Sequence, residues 1–367
     1  MCLENKTIFI AHNWLETSFN RQSVELAKFF SIHNKVLFLN AQRRGISKEK
    51  INNGLSVYEW PGKKPVTLKD FFFAWRLMKK HKPDVIISNF SANNIMLLTS
   101  WLFRSKVRIC YYHTMVKQYI ADKGRLDTKQ QFNIWRKKIF FKKATHIIAP
   151  SSAAKKDLVA YYKVDENKVH VFPNALYDHH KKNKKQEFVV GFVGRLHRSK
   201  GVDILIEAFG MLHKELPLLK LKIVGSGSEQ DNLKKLVEDI ALSNVTEFKG
   251  ALANDEVIDF LTSVSCLVVP SRWDNQPTTI MEAFSTATAV IASNAGGISE
   301  IINHNINGLL FEKEDAKDLY RQLKRVFTEE GLKNLLAENG RVSFIEKYNL
   351  ESWTKRFEKL IVDSLHV

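Results

Sequence analysis

Apolar and polar positions divide the chain into strands and helices that alternate almost from end to end. Short runs rich in β-branched residues, bounded by polar positions, predict buried strands at 6–11, 35–39, 85–88, 107–111 and 146–149. Between them apolar residues recur at helical spacing, as at Val24, Leu26, Ala27 and Phe30 within 19–30. This alternation predicts an α/β fold built on a doubly wound parallel sheet. A hydrophilic, glycine-free run, DHHKKNKKQE at 178–187, interrupts the pattern and reads as a linker. A second series starts with FVVGFVGR at 188 and continues through 219–224, 245–248, 266–269, 289–292 and 309–311. Amphipathic helices follow at 315–328, 332–348 and 351–365. The predicted organisation is two α/β domains, 1–177 and 188–348, joined by the linker 178–187. The terminal segment 349–367 carries Trp353, Phe357 and Ile361 at i, i+4 and i+8 as the buried face of the last helix.

Two helical stretches of the first half combine aromatic bulk with cations. In LKDFFFAWRLMKKHK, Phe71, Trp75 and Met78 form a stripe predicted to face the core, with Lys69, Arg76 and Lys80 opposite. In FNIWRKKIFFKK, at 132–143, the cations spread around the helix. Core packing is the first reading of these stripes and an interfacial membrane face the second.

Composition sharpens the picture. The 367 residues, 44% apolar, exceed what one core usually serves. Cys2, Cys110 and Cys266 are isolated and odd in number, which offers neither a disulfide framework nor a Cys-x-x-Cys knuckle and points to a reducing cytoplasm. The amino terminus has no export signal, and no apolar run approaches membrane-spanning length. Adjacent His179 and His180 lack further ligands and make a poor metal site. The net charge of +17 is lopsided: residues 1–180 hold 31 Lys and Arg against 13 Asp and Glu, and residues 181–367 hold 25 against 26. The surplus calls for an anionic partner of the first half: nucleic acid, an anionic membrane surface or a phosphorylated acceptor.

The candidate chemistry concentrates at 266–297, CLVVPSRWDNQPTTIMEAFSTATAVIASNAGG. A buried strand stops at Pro270 and Ser271. After a polar loop, Pro277 supplies the φ favoured at a first helical position, and 278–287 reads as a short helix whose first amides, at Thr278 and Thr279, can hold an anion. Asp274 and Glu282 can then reach hydroxyls of a ligand whose phosphates sit at the helix end. Upstream, GRLHRSKG supplies Gly194, Arg195, Lys200 and Gly201, two fixed cations for a diphosphate that gains charge on leaving. Gly225 and Gly227 in VGSGSE and Gly250 after a later strand are glycine turns of the kind that approach a nucleotide, and that also close ordinary β-α turns.

Pro-Ser, an acidic residue, seven intervening residues, Glu-Ala, and then Val-Ile-Ala-Ser and Gly-Gly together resemble the signature of the retaining family 4 glycosyltransferases. The resemblance implies the GT-B fold, two Rossmann-like doubly wound domains facing each other across a cleft. It assigns Arg195 and Lys200 to the donor diphosphate, Glu282 to the ribose hydroxyls, Asp274 to the transferred sugar, and the Thr278 and Thr279 amides to phosphate. Ser271, Gly194, Gly225, Gly227 and Gly250 border the nucleotide. His113, just beyond the strand ending YYH, is similar to the family's His that reaches the donor sugar from the first domain. Three departures stand out. Asp274 replaces the commoner Glu, the loop 12–20 has no glycine pair although Asn20 and Arg21 offer side chains there, and Ala175 replaces the glycine of a Pro-Asn-Gly turn. The implied activity is retaining transfer of a sugar from a nucleoside-diphosphate sugar to a hydroxyl of a glycan or lipid-linked acceptor. It needs no cofactor and no divalent metal, it serves cell-envelope polysaccharide synthesis, and its expected place is the cytoplasm or, peripherally, the inner face of the cell membrane. Against a Rossmann oxidoreductase, neither VGRLHRSKG nor VGSGSEQD completes G-x-G-x-x-G. Against a nucleic-acid partner, no recognised binding module is present.

Overall fold

The computed structural model describes residues 3–12, 18–40, 54–62, 64–113, 115–117, 120, 125–179 and 187–365, without the side chains of 18–21. It divides into two compact units, Met1–Ala175 with Leu350–Val367, and Leu176–Asn349. Residues 180–186, most of the segment 178–187 read as a linker, lie outside the described residues.

The first unit holds a seven-stranded parallel sheet of β1 (Thr7–Ala11), β2 (Lys35–Asn40), β3 (Leu55–Glu59), β4 (Val85–Ser88), β5 (Val107–Tyr111), β6 (His146–Ala149) and β7 (Val169–Val171), in the order β3-β2-β1-β4-β5-β6-β7. The second holds β8 (Val189–Val193), β9 (Lys220–Val224), β10 (Thr246–Gly250), β11 (Cys266–Val269), β12 (Ala289–Ser293) and β13 (Leu309–Phe311), all parallel, in the order β10-β9-β8-β11-β12-β13. Strand order reverses between β1 and β4 in one sheet and between β8 and β11 in the other. Loops leaving the carboxyl ends of strands at such reversals form the crevices where ligands collect.

The core-facing stripe of the helix Leu68–His81 differs from the expected one. Asp70, Ala74, Leu77 and Met78 are buried, while Phe72 and Trp75 are exposed. The cause is Asp70, whose carboxylate accepts the amides of Gly62 (3.0 Å), Val66 (3.1 Å) and Thr67 (2.9 Å) and the Thr67 hydroxyl (2.7 Å). A fully buried carboxylate is tolerable only when its oxygens are satisfied, so this network fixes which row of the helix points inward. On the helix Thr128–Phe141, capped by Asp127, Phe132, Trp135 and Ile139 are exposed and Phe141 is buried.

The last helix, Leu350–Leu365, completes the first unit. Trp353 is fully buried, donates from Nε1 to the Pro173 carbonyl (2.7 Å) and stacks on Phe357 at 4.8 Å; Phe357 meets Phe172 at 5.7 Å and Tyr111 at 6.3 Å. The stretch expected as one helix over 332–348 is an α-helix, Leu332–Ser343, followed by a π-helical turn, Phe344–Tyr348.

Candidate functional site

In the second unit the loops after β9, β8, β11 and β12, four adjacent strands, are joined by backbone contacts that only glycine permits. Gly225 has φ +138°, and a Cβ there would sit 1.8 Å from the Gly194 carbonyl oxygen; a Cβ on Gly227 would meet the Leu196 carbonyl at 2.2 Å. Gly201 (φ +65°) lies as close to the Pro270 carbonyl, and Gly296 (φ +61°) to that of Asp274. Hydrogen bonds follow the same seams, from Gly194 N–H to Val224 (3.0 Å), Leu196 N–H to Ser226 (2.9 Å) and Gly297 N–H to Asp274 (2.9 Å). Gly225 and Gly227 are therefore required by the protein's own backbone, whatever they do for a ligand. Gly250 (φ +71°) has open space around it, and its carbonyl accepts the Gly225 amide at 2.8 Å.

These seams gather the charged residues at the reversal between β8 and β11. Arg195 is exposed, with no side-chain partner among the described residues. Lys200 ends a 3-10 turn, Arg198–Lys200, and its ammonium is bonded to the Asp274 carboxylate. Arg272 is absorbed by structure. It grips Asp203 with two bonds (2.9 and 2.6 Å), holds Glu314 (2.8 Å) and donates to the Arg198 carbonyl (2.8 Å). Burial works against the Asp203 carboxylate, yet the Arg272 bonds and charge hold its pKa below the ordinary value, and the same bonds push the guanidinium up. The cation nearest the helix start in sequence is thus a tie between loops.

The helix Thr278–Ser285 starts at the residue read from the sequence and ends two residues earlier; Pro277 is its cap, in extended geometry, and no side chain caps that start. Thr278 and Thr279 are half-buried in its first turn, with Glu282, 5% exposed, in its second. The start of such a helix favours an anion through its amides and dipole. Two buried polar atoms on the preceding loop, Ser271 Oγ and Trp273 Nε1, have no hydrogen-bond partner among the described residues. Buried groups of this kind are few in folded proteins, and each calls for a partner such as an ordered water or a ligand atom. Trp273 had no sequence signal beyond standing one residue before Asp274. Among the described residues no cluster of three His, Cys, Asp or Glu is arranged to hold a metal ion.

His113 belongs to the first unit, past the end of β5. Its Nε2 donates to Asn89 Oδ1 at 2.5 Å, and its ring stacks on Phe90 (4.7 Å) and Tyr111 (5.6 Å). His12, past the end of β1, stacks on the same Phe90 at 5.5 Å. The two histidines and Asn89 thus cluster at that sheet's own reversal. Burial lowers both imidazole pKa values to about 3, with His12 adding to the effect on His113, so both rings are neutral near pH 7. Residues 13–17 and the side chains of Asn20 and Arg21, the glycine-free loop of the sequence, lie outside the described residues.

Comparison with known proteins finds relatives for both halves of the chain. Residues 177–343 match the family described as glycosyl transferases group 1, and residues 24–177 match glycosyltransferase family 4. An uncharacterized glycosyltransferase of Methanocaldococcus jannaschii is 35% identical over 164 residues, 45% of this chain and 44% of the relative. The lipopolysaccharide core biosynthesis glycosyltransferase LpsE of Rhizobium meliloti is 29% identical over 173 residues, 47% of this chain and 49% of the relative. The matched stretches thus span about half the length of these curated relatives. Anabaena HepE, solved in complex with UDP, superposes with a TM-score of 0.80 over 98% of this chain and 100% of its own at 17% identity, a likeness of fold.

Proposed function

Because the chain belongs to the family 4 glycosyltransferases, with a GT-B-type pair of Rossmann-like units, we propose that it transfers a hexose or related sugar, with retention at the anomeric carbon, from a nucleoside-diphosphate donor to a hydroxyl of a glycan or lipid-linked acceptor. The observation that carries this reading is the glycine-sealed set of loops at the β8/β11 reversal, with Arg195, Lys200 and an uncapped helix start on its loops and two unpartnered polar atoms buried beside them.

Departure of a diphosphate concentrates negative charge on its bridging and terminal oxygens. Fixed cations and oriented amides lower the barrier because they are in place before that charge appears. Arg195 offers a fork of donors and Lys200 a point charge, while the Thr278 and Thr279 amides add the helix end. In this reading Asp274 serves the transferred sugar, Glu282 accepts from the ribose hydroxyls, and His113 is the first unit's candidate catalytic residue. No residue is assigned as a nucleophile. With two cations and a helix end to receive the charge, a divalent metal is not required.

HepE was crystallised with UDP, which makes a uridine donor the first to try. LpsE is named for lipopolysaccharide core biosynthesis, which supports a role in cell-envelope polysaccharide synthesis. We further propose a cytoplasmic enzyme, peripheral on an anionic membrane. The basic first half and the exposed Phe132, Trp135 and Ile139 support surface attachment, and no described helix is long and apolar enough to cross a bilayer. Co-sedimentation should favour anionic over neutral liposomes; equal recovery removes the membrane from the account.

The test of the activity is hydrolysis or transfer with a panel of UDP-, GDP- and ADP-sugars, run with and without EDTA. One donor should turn over at the same rate in both, and Arg195→Ala should lose at least about tenfold in kcat/KM, roughly 1.4 kcal/mol. Turnover abolished by EDTA overturns metal independence, and wild-type turnover in Arg195→Ala overturns the site.

A further inference from the structure

The first unit contains a concave site that shares His113 with the proposed chemistry but whose other lining residues have no role in it. A cavity of about 270 Å³ opens past the ends of β4 and β5. Tyr111, Phe90 and His113 line it with near-parallel rings, interplanar angles 11° and 29°, and Phe90 is held there at φ +48°. The helix Thr128–Phe141 contributes Arg136 and Lys137.

Two features show what the cavity lacks. Arg136 and Lys137 are adjacent cations, Lys137 half-buried, and among the described residues no carboxylate stands within ion-pair distance of either. Burial pushes the Lys137 ammonium below its usual pKa, and Arg136 beside it pushes the same way. A cation drawn from water without a counter-charge is costly, and an arriving anion removes the cost. The second feature is Asn93, 7% exposed. Its Nδ2 donates to the Tyr111 carbonyl at 3.0 Å, while its Oδ1 has no hydrogen-bond partner among the described residues. A buried amide oxygen without a donor is costly, and a ligand hydroxyl relieves that cost.

We propose that this cavity binds a phosphorylated sugar or polyol, with its phosphate on Arg136 and Lys137, a hydroxyl on Asn93 Oδ1 and the ring against the aromatic wall. Two cations side by side match a phosphate better than a single carboxylate, and the aromatic faces suit the C–H surface of a sugar. The binding claim stands on the cavity alone. That the ligand is the acceptor rests on the transferase reading above. The phosphate can belong to a free sugar phosphate or to a lipid headgroup, and the test separates the two.

The full chain is titrated by calorimetry with glucose 6-phosphate and with glucose, and incubated with phosphatidylcholine vesicles with and without phosphatidylinositol phosphate. Wild type should bind glucose 6-phosphate at least about tenfold more tightly than glucose, or be recruited only by the phosphoinositide vesicles. The first result assigns a soluble ligand and the second a lipid headgroup. Arg136→Gln, at an exposed position, and Lys137→Gln should each weaken that interaction about tenfold with no loss of Tm. UDP binding, measured in the same samples, should be unchanged. If UDP fails to bind while glucose 6-phosphate binds as described, the cavity stands and the transferase reading falls. If charged and neutral probes behave alike in both formats, or both variants match wild type, the cavity proposal is overturned.

Discussion

The ammonium of Lys200 is bonded to the carboxylate of Asp274, 74 residues further along the chain, on the loop after the neighbouring strand. The proposed roles of these residues differ, one for the diphosphate and one for the transferred sugar, yet before a donor arrives they neutralise each other. A diphosphate therefore competes with Asp274 for Lys200. Asp274→Asn should tighten binding of the nucleoside diphosphate alone, by about three- to tenfold or up to about 1.4 kcal/mol, while slowing sugar transfer. Calorimetry and a transfer assay on one preparation check both parts; weaker diphosphate binding in the variant contradicts the competition.

The seam glycines are expected to rank by their surroundings. Gly225→Ala brings a Cβ to 1.8 Å from a backbone oxygen at φ +138°, which no side-chain movement relieves, and should cost at least about 3 kcal/mol. Gly250→Ala has only its left-handed φ to pay for, about 1–2 kcal/mol. Denaturant titration should show that order.

His12 ties stability to pH. Its folded pKa, about 3, lies below the unfolded value near 6.5, so the unfolded chain binds the proton first. Unfolding free energy should be insensitive to this group above pH 6.5. It should fall as pH drops from 6.5 toward 3, at up to about 1.4 kcal/mol per pH unit. His113 has the same sign. Urea titrations at pH 7.5, 6 and 5 check the slope, which should flatten in His12→Asn.

Trp353→Ala should destabilise the first unit by about 3–5 kcal/mol, since it empties a fully buried site and strands the Pro173 carbonyl. Loss of the near-ultraviolet aromatic signal at lower urea than in wild type is the readout, and Lys355→Ala, on an exposed face of the same helix, should leave it unmoved.

Much of this architecture was legible because strands buried on both faces read as runs such as VVGFV and CLVV. The strands β3 and β7 carry no clear apolar run: LSVYE mixes apolar with polar residues, and VHV is only three residues long with a polar centre. Arg195, Lys200, Asp274 and the helix at Thr278 could be found because they follow strands directly. Their pairing could not, because it depends on β8 lying beside β11, and periodicity is silent on strand order. The inward face of the helix Leu68–His81 was misread because apolar count pointed to Phe71 and Trp75, while the deciding group is a buried carboxylate. The motif Thr67-Leu-Lys-Asp70 was the available sign of it.

In the proposed donor complex a nucleoside diphosphate is held at the β8/β11 reversal with its ribose on Glu282. Calorimetric titration of UDP, GDP and ADP into wild type and Glu282→Ala tests it most directly. One nucleotide should saturate wild type at one site per chain and bind Glu282→Ala at least about tenfold more weakly. Equal affinity in the two proteins, or no binding by wild type to any of the three, contradicts it.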